Sequence, residues 1–245
     1  MYRLIILLII LFSFLFPNGK NYIYKIIIDG NIILSDNELY TILTLKKPSL
    51  FTRSKFTQKV YIRDKQNLIG YYKSKGFQDV NISGDVNKDS DNNISITYTV
   101  EEGSQYKFKK VILSGNNYLP NDVILQYFNS QIGKYFNPTF IRKQIIDIKR
   151  SYLSDGKLNI YIMQELLVDG TNITLRLNIL EGVTCVIQGI HIVGLETVKE
   201  KYIHREVAFN ISDKYNILKI EQTRQRIFDS GLFSSVEIYP DIIDA

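Results

Sequence analysis

Three segments of this chain repeat one order of landmarks, and that repeat constrains the fold more than any other feature. Each opens on a β-like stretch closing in glycine: Lys25-Ile26-Ile27-Ile28-Asp29-Gly30-Asn31, Lys110-Val111-Ile112-Leu113-Ser114-Gly115-Asn116, and Gly189-Ile190-His191-Ile192-Val193-Gly194. Gly30, Gly115 and Gly194 stand 85 and 79 residues apart. A helix-like stretch then closes on a second glycine, with Tyr72 before Gly76, Tyr152 before Gly156, and Ile227-Phe228 before Gly231. A third landmark, Glu101-Glu102-Gly103 and Leu180-Glu181-Gly182, recurs at a spacing of 79. Unlike landmarks that return in step at one period mark an array of small modules.

Composition narrows the setting. Net charge is +5, yet Lys and Arg are interleaved with Asp and Glu throughout the 245 residues. No basic run forms a phosphate-tracking stripe, so nucleic acid is not an expected partner. Arg3 precedes an apolar stretch from Leu4 to Leu15, broken by Ser13, then Phe16-Pro17-Asn18-Gly19. That is a basic start and a hydrophobic segment of secretory length, so residues 1–19 are expected to be a signal peptide. The segment is short for a membrane span, which needs roughly 20 apolar residues. Cys185 is the sole cysteine, so no intramolecular disulfide can form. It is expected to pack as a small apolar residue at the start of a strand.

Within a copy, apolar residues sit two and four places before the first glycine: Ile28 and Ile26, Leu113 and Val111, Ile192 and Ile190. Period two puts them on one face of a strand, toward a core. Gly30, Gly115 and Gly194 supply turns at which positive φ is tolerated. Ser35-Asp36-Asn37-Glu38 has the form of a capping box. First helices are expected at about Asp36–Leu43, Asn121–Phe128 and Thr197–Val207. In the middle copy, Asn137-Pro138 starts a second helix whose stripe is Ile141, Ile145, Ile148 and Tyr152. Tyr61, Leu68 and Tyr72, with Lys65 snorkelling, hold the equivalent stripe in copy one; Ile220 and Ile227, with Thr223 between, hold it in copy three. Gly76, Gly156 and Gly231 close these helices as left-handed caps.

Two strands finish the unit. Val80-Asn81-Ile82-Ser83 and Ile94–Val100 flank a polar turn, and Leu158–Gln164 and Ile173–Ile179 flank Asp169-Gly170, a strong hairpin signal. Each module therefore reads as β-α-α-β-β, an α+β unit with two helices over a three-stranded sheet. Boundaries follow at 22–103, 104–182 and 183–245. Only 14 residues follow Gly231, against 27 from Gly76 to Gly103, so the third module lacks its last strand in this sequence.

A β-α-α-β-β unit with a strand-Gly-Asn opening, a Tyr-x-x-x-Gly helix end and a Glu-Gly close, repeated behind a signal peptide, resembles the POTRA domain. Phe228-Asp229-Ser230-Gly231-Leu232-Phe233-Ser234-Ser235-Val236 is similar to that family's helix-to-strand junction. The resemblance implies tandem POTRA modules, each a three-stranded mixed sheet covered on one face by two helices, as in the periplasmic arm of BamA/TamA-type outer-membrane assembly factors. It also implies unfolded β-barrel precursors as clients, accessory lipoproteins as partners, a periplasmic location, and an outer-membrane barrel lying beyond this chain. The third copy departs from the pattern: no Asn follows Gly194 and its last strand is wanting.

The physical route is strand pairing. If the strand before Glu-Gly is central, the strand after Gly76, Gly156 or Gly231 is an edge, with unpaired N–H and C=O groups for an extended client. The candidate residues are Val80, Asn81, Ile82 and Ser83; Asn159, Tyr161 and Met163; and Val236 and Ile238. Four to six hydrogen bonds at about 1 kcal/mol each give on the order of millimolar affinity. Ile27 and Ile112 form a separate apolar face, for packing between modules or contact with a partner. No phosphate loop, serine elbow or HExxH is present, and no cofactor is expected. His191 and His204 read as strand and helix-surface residues, and Glu101-Glu102 as a solvated pair. The alternatives are a POTRA arm of a secretion transporter and a free-standing exported binding protein.

Overall fold

The computed structural model describes residues 21–49 and 54–243; the expected signal peptide lies outside them. The chain divides into two compact units, one running to Lys107 and including Tyr135–Asn137, the other holding Phe108–Lys134 and everything from Pro138 onward. The first contains strand β1 (Tyr22–Asp29), helices α1 (Asp36–Ile42) and α2 (Gln58–Ser74), and strands β2 (Asn81–Lys88) and β3 (Asn93–Glu101). The second repeats this with β4 (Lys107–Ser114), α3 (Asn121–Gln126), α4 (Pro138–Ser154), β5 (Tyr161–Asp169) and β6 (Asn172–Leu180). It then adds α5 (Glu200–Glu206) and α6 (Ile217–Asp229).

Both sheets place the last strand in the middle, in the orders β1-β3-β2 and β4-β6-β5. β1 runs parallel to β3 and β2 antiparallel to it, so the sheet is mixed. Sequence chemistry explains the central position. Ile94, Ile96, Tyr98 and Val100 alternate on β3, and Ile173, Leu175, Leu177 and Ile179 on β6, all at most 3% exposed. Burying each such side chain contributes about 1.5–3 kcal/mol, so the strand with the fullest apolar row takes the site with neighbours on both sides. Leu39, Leu68 and Tyr72 cover that row from the helices.

The three repeated landmarks meet in one hydrogen-bonded knot. Asn31 donates its side-chain amide to the Leu34 carbonyl at 2.9 Å and to the Asp36 carboxylate at 2.8 Å, folding the loop after Gly30. Asn116 does the same to Leu119 and Asn121. Onto that loop comes the glutamate of Glu-Gly. Glu102 accepts from the N–H groups of Ile33 (3.0 Å) and Leu34 (3.4 Å) and from the Tyr72 hydroxyl (3.2 Å). Glu181 accepts from Tyr118 N–H (2.8 Å) and the Tyr152 hydroxyl (2.9 Å). Glu102 is therefore buried, which corrects the reading of Glu101-Glu102 as a solvated pair: a carboxylate at a strand end can be buried when it gathers enough donors. The glycine matters at the same place. A Cβ on Gly30 would overlap the Val100 carbonyl oxygen, and one on Gly115 that of Ile179, so the chain approaches the end of the central strand closely.

The third copy shares the helices and one further signature. Phe56 N–H donates to Asn21 O (2.9 Å), Phe136 N–H to Tyr106 O (2.8 Å) and Tyr215 N–H to Cys185 O (3.0 Å), tying the start of each copy to the segment before its second helix. Beyond that it departs from expectation. Among the described residues, 189–194 form no strand, nor do those around Val236 and Ile238. Among the described residues no strand follows β6, so neither flanking segment has a central strand to pair with. Gly194 accordingly has no described neighbour within 4 Å of where its Cβ would lie. Leu195 and Ile227 replace the Asn and Tyr of the knot. Helix α5 starts at Glu200 rather than Thr197 because residues 196–198 make the same bend as 32–34 and 117–119.

Candidate functional site

Among the described residues, two sheets with a central last strand leave four strand margins: β1, β2, β4 and β5. Asn81, Ile82 and Ser83 lie on β2, paired with Glu101, Val100 and Thr99 on their inner side. Val80 is one residue before the strand and its side chain is in the core, because the alternation that buries Ile82 also turns Val80 inward. On β5, Tyr161 and Met163 pair with Leu180 and Asn178 and are exposed. Asn159 is not on the strand, which starts three residues later than the expected Leu158. Asn159 occupies a turn against Gly182, 3.0 Å from where a Cβ there would be. Val236 and Ile238 are on no edge, for the reason given above. The structure thus brings together Asn81–Ser83 on one edge and Tyr161 with Met163 on another.

These margins differ in chemistry. The outward row of β2 is Asn81, Ser83, Asp85 and Asn87, and Asn81 donates to Glu101 at 3.1 Å. Gly84 faces Tyr98 and lies under the Tyr61 hydroxyl, 2.5 Å from where a Cβ would be. On β5, Glu165 pairs with Arg176 at 2.7 Å and Asp169 with Lys109 at 3.7 Å. Leu166 and Val168 stay exposed although they share the face of the core residues of β6. No reactive constellation accompanies either edge. His204 is exposed on α5 as expected, and His191 is exposed but on no strand. Cys185, also off any strand, donates its backbone N–H to Gly156 O at 2.8 Å, as Tyr106 does to Gly76 at 2.9 Å.

Electrostatics is concentrated behind the edges. Burial, and then the charge of Glu102, raises the Tyr72 hydroxyl above the usual tyrosine range. Burial and the hydrogen bond to Glu181 do the same for Tyr152. Both hydroxyls therefore stay protonated donors, holding the central strand to the helix beneath it. Glu38 is lowered by the Tyr71 hydroxyl first and by Lys75, 3.0 Å away, second. Only half of the expected capping box forms, since Ser35 accepts from Glu38 N–H while the Glu38 carboxylate turns to Tyr71 and Lys75.

Sequence reasoning missed Asp64, which is fully buried in α2. Its carboxylate accepts from Thr44 N–H (2.9 Å) and Leu45 N–H (2.8 Å), fixing the loop that leaves α1. Thr223, at the corresponding turn of α6, accepts from Ala208 N–H at 2.9 Å. The available signal was an acidic residue on the apolar face of the helix, three places after Tyr61 and four before Leu68.

Known proteins share this architecture. The POTRA family, described as surface antigen variable number repeat, matches residues 21–103, 106–182 and 185–244. The outer membrane protein assembly factor BamA of Neorickettsia risticii (strain Illinois) is 22% identical over 222 residues, covering 88% of this chain and 30% of that protein. BamA of Neisseria meningitidis serogroup B is 23% identical over 218 residues, covering 85% and 27%. The chain thus spans less than a third of the length of these relatives. The crystal structure of Haemophilus influenzae BamA POTRA3-5 superposes with a TM-score of 0.70 at 18% identity, over 94% of both chains. That likeness is one of fold.

Proposed function

The chain belongs to the POTRA family, and from that premise we propose that it is the periplasmic arm of an outer-membrane protein assembly factor. In this reading it receives unfolded β-barrel precursors by strand pairing along its sheet margins and passes them toward a barrel. Accessory lipoproteins of the assembly complex dock on the same arm. The observation that carries the proposal is the order of both sheets, which leaves the strand after each Tyr-x-x-x-Gly helix with one open side. An open margin offers backbone groups that any extended chain can pair with, whatever its sequence. Millimolar binding, set by a few hydrogen bonds of about 1 kcal/mol each, suits a surface that must release what it holds.

The test uses the full chain and a peptide from a β-barrel precursor carrying a photocrosslinker. Asn81→Pro and Tyr161→Pro each remove an N–H and bend an edge strand. Crosslinking to the altered edge is expected to fall at least threefold while the melting temperature holds. Unchanged crosslinking in both folded variants overturns strand pairing.

A further inference from the structure

Helix α4 carries four cations, Arg142, Lys143, Lys149 and Arg150, and one carboxylate, Asp147. With about 3.6 residues per turn, the four cations and Ile146 share one arc of roughly 120°. That arc lies opposite the buried stripe of Ile141, Ile148 and Tyr152, and Ile146 stands inside it, 58% exposed. The fold itself does not require this arrangement. At the corresponding positions α2 and α6 have one cation each, Arg63 and Arg224. Arg150 is paired with Glu221, a carboxylate on α6 of the following copy. Among the described residues, Arg142, Lys143 and Lys149 form no ion pair, and neither does Asp147 at the border of the arc. With Asp147 and Glu221 both counted in full, the face still holds four cations against two carboxylates.

We propose that this outward face of α4 seats an acidic helix of a partner protein, with an apolar side chain over Ile146 and carboxylates against the cations on either side. Arg142 and Lys149 are two turns apart, as are Lys143 and Arg150, a separation of about 10 Å along the axis. A helix with carboxylates at the same interval and an apolar residue between them matches the face in register. Glu221 shows the contact already made once: a carboxylate borne on a helix reaches Arg150, so the occupant extends an interface that exists between α4 and α6. An anionic bilayer would also answer the charge. The exposed Ile146 between the cation pairs favours a protein helix, which brings an apolar neighbour to the same depth as its carboxylates. The face belongs to the helix layer and not to a strand margin, so the proposal stands or falls independently of strand pairing.

The experiment titrates the full chain with a capped, helix-stapled peptide, Glu-Glu-Ala-Ala-Leu-Ala-Ala-Glu-Glu, and follows backbone amide shifts and fluorescence anisotropy. Shifts are expected along residues 142–150. A Lys143→Glu/Lys149→Glu variant should bind at least fivefold more weakly, and a Lys59→Ala/Lys73→Ala variant on α2 should bind as the wild type does. Glu221→Gln frees Arg150 and should tighten binding about twofold, and added salt should weaken it, as for any exposed ion pairs. If the charge-reversed variant is unstable, the wild-type shift map and the Glu221→Gln variant decide. Shifts that bypass α4 overturn the proposal. Equal binding of a scrambled peptide, whose carboxylates no longer share a face, overturns it in favour of general charge attraction. Binding to phosphatidylglycerol vesicles through residues 142–150, with no binding of the peptide, overturns it in favour of a membrane surface.

Discussion

Glu102→Ala removes the acceptor on which Ile33 N–H, Leu34 N–H and the Tyr72 hydroxyl converge. Each buried donor left without a partner costs roughly 1–3 kcal/mol. The three do not count equally. Ile33 is 62% exposed, so its amide can turn to water, whereas Leu34 (8%) and Tyr72 (0%) cannot. Two stranded donors and the lost charged acceptor put the cost at about 3–5 kcal/mol. That is a large part of the 5–15 kcal/mol typical of a domain. Glu181→Ala strands one buried donor, the Tyr152 hydroxyl, because Tyr118 is 45% exposed, and should cost about 1–2 kcal/mol. Urea unfolding of the full chain, with hydrogen exchange at the Leu34 and Tyr118 amides to assign the transitions, measures both. A Glu102→Ala cost within 0.5 kcal/mol of zero, or a larger cost at Glu181, would refute the reasoning.

Glycine contrasts provide a second test. Gly30→Ala combines positive-φ strain of about 1–2 kcal/mol with overlap at the Val100 carbonyl, for a total of about 2–5 kcal/mol, whereas Gly194→Ala carries the strain alone. Local hydrogen exchange in each copy distinguishes them. Asp64→Ala should cost about 1–3 kcal/mol by stranding the buried Leu45 amide, while that of exposed Thr44 turns to water, and exchange in residues 43–45 should rise before the rest of the unit. Base titration provides a fourth. Tyr72 and Tyr152 have raised pKa values when folded, so the folded state holds their protons longer than the unfolded chain. Their contribution is complete below about pH 10, the unfolded value, and is lost as pH rises through the folded values. Tyr72→Phe should flatten the alkaline limb of a melting-temperature profile.

Period and alternation made most of the fold legible. The apolar rows Ile94–Val100 and Ile173–Ile179 identified strands with a buried face, and their fullness matches their central place in each sheet. What spacing could not convey was that Gly-Asn, Tyr-x-x-x-Gly and Glu-Gly are parts of one knot, because hydrogen bonds such as Tyr72–Glu102 join residues 30 positions apart. Period-two reasoning at Ile190 and Ile192 failed for a related reason. A strand needs a partner, and a local pattern does not say whether one exists. On the edges, Asn81–Ser83, Tyr161 and Met163 were legible from their place after the helix-closing glycine. Val80 and Asn159 fell off the strands because boundaries depend on the turn that leads in. The contrast between β2 and β5 appears only when pairing shows which charges are matched.

Hydrogen–deuterium exchange of the full chain, with and without an unfolded β-barrel precursor at millimolar concentration, tests the strand-margin account most directly. New protection in residues 81–88 and 161–169, with the helices Gln58–Ser74 and Pro138–Ser154 unchanged, is the predicted result. Protection of those helices with unaltered exchange along both strands would contradict it.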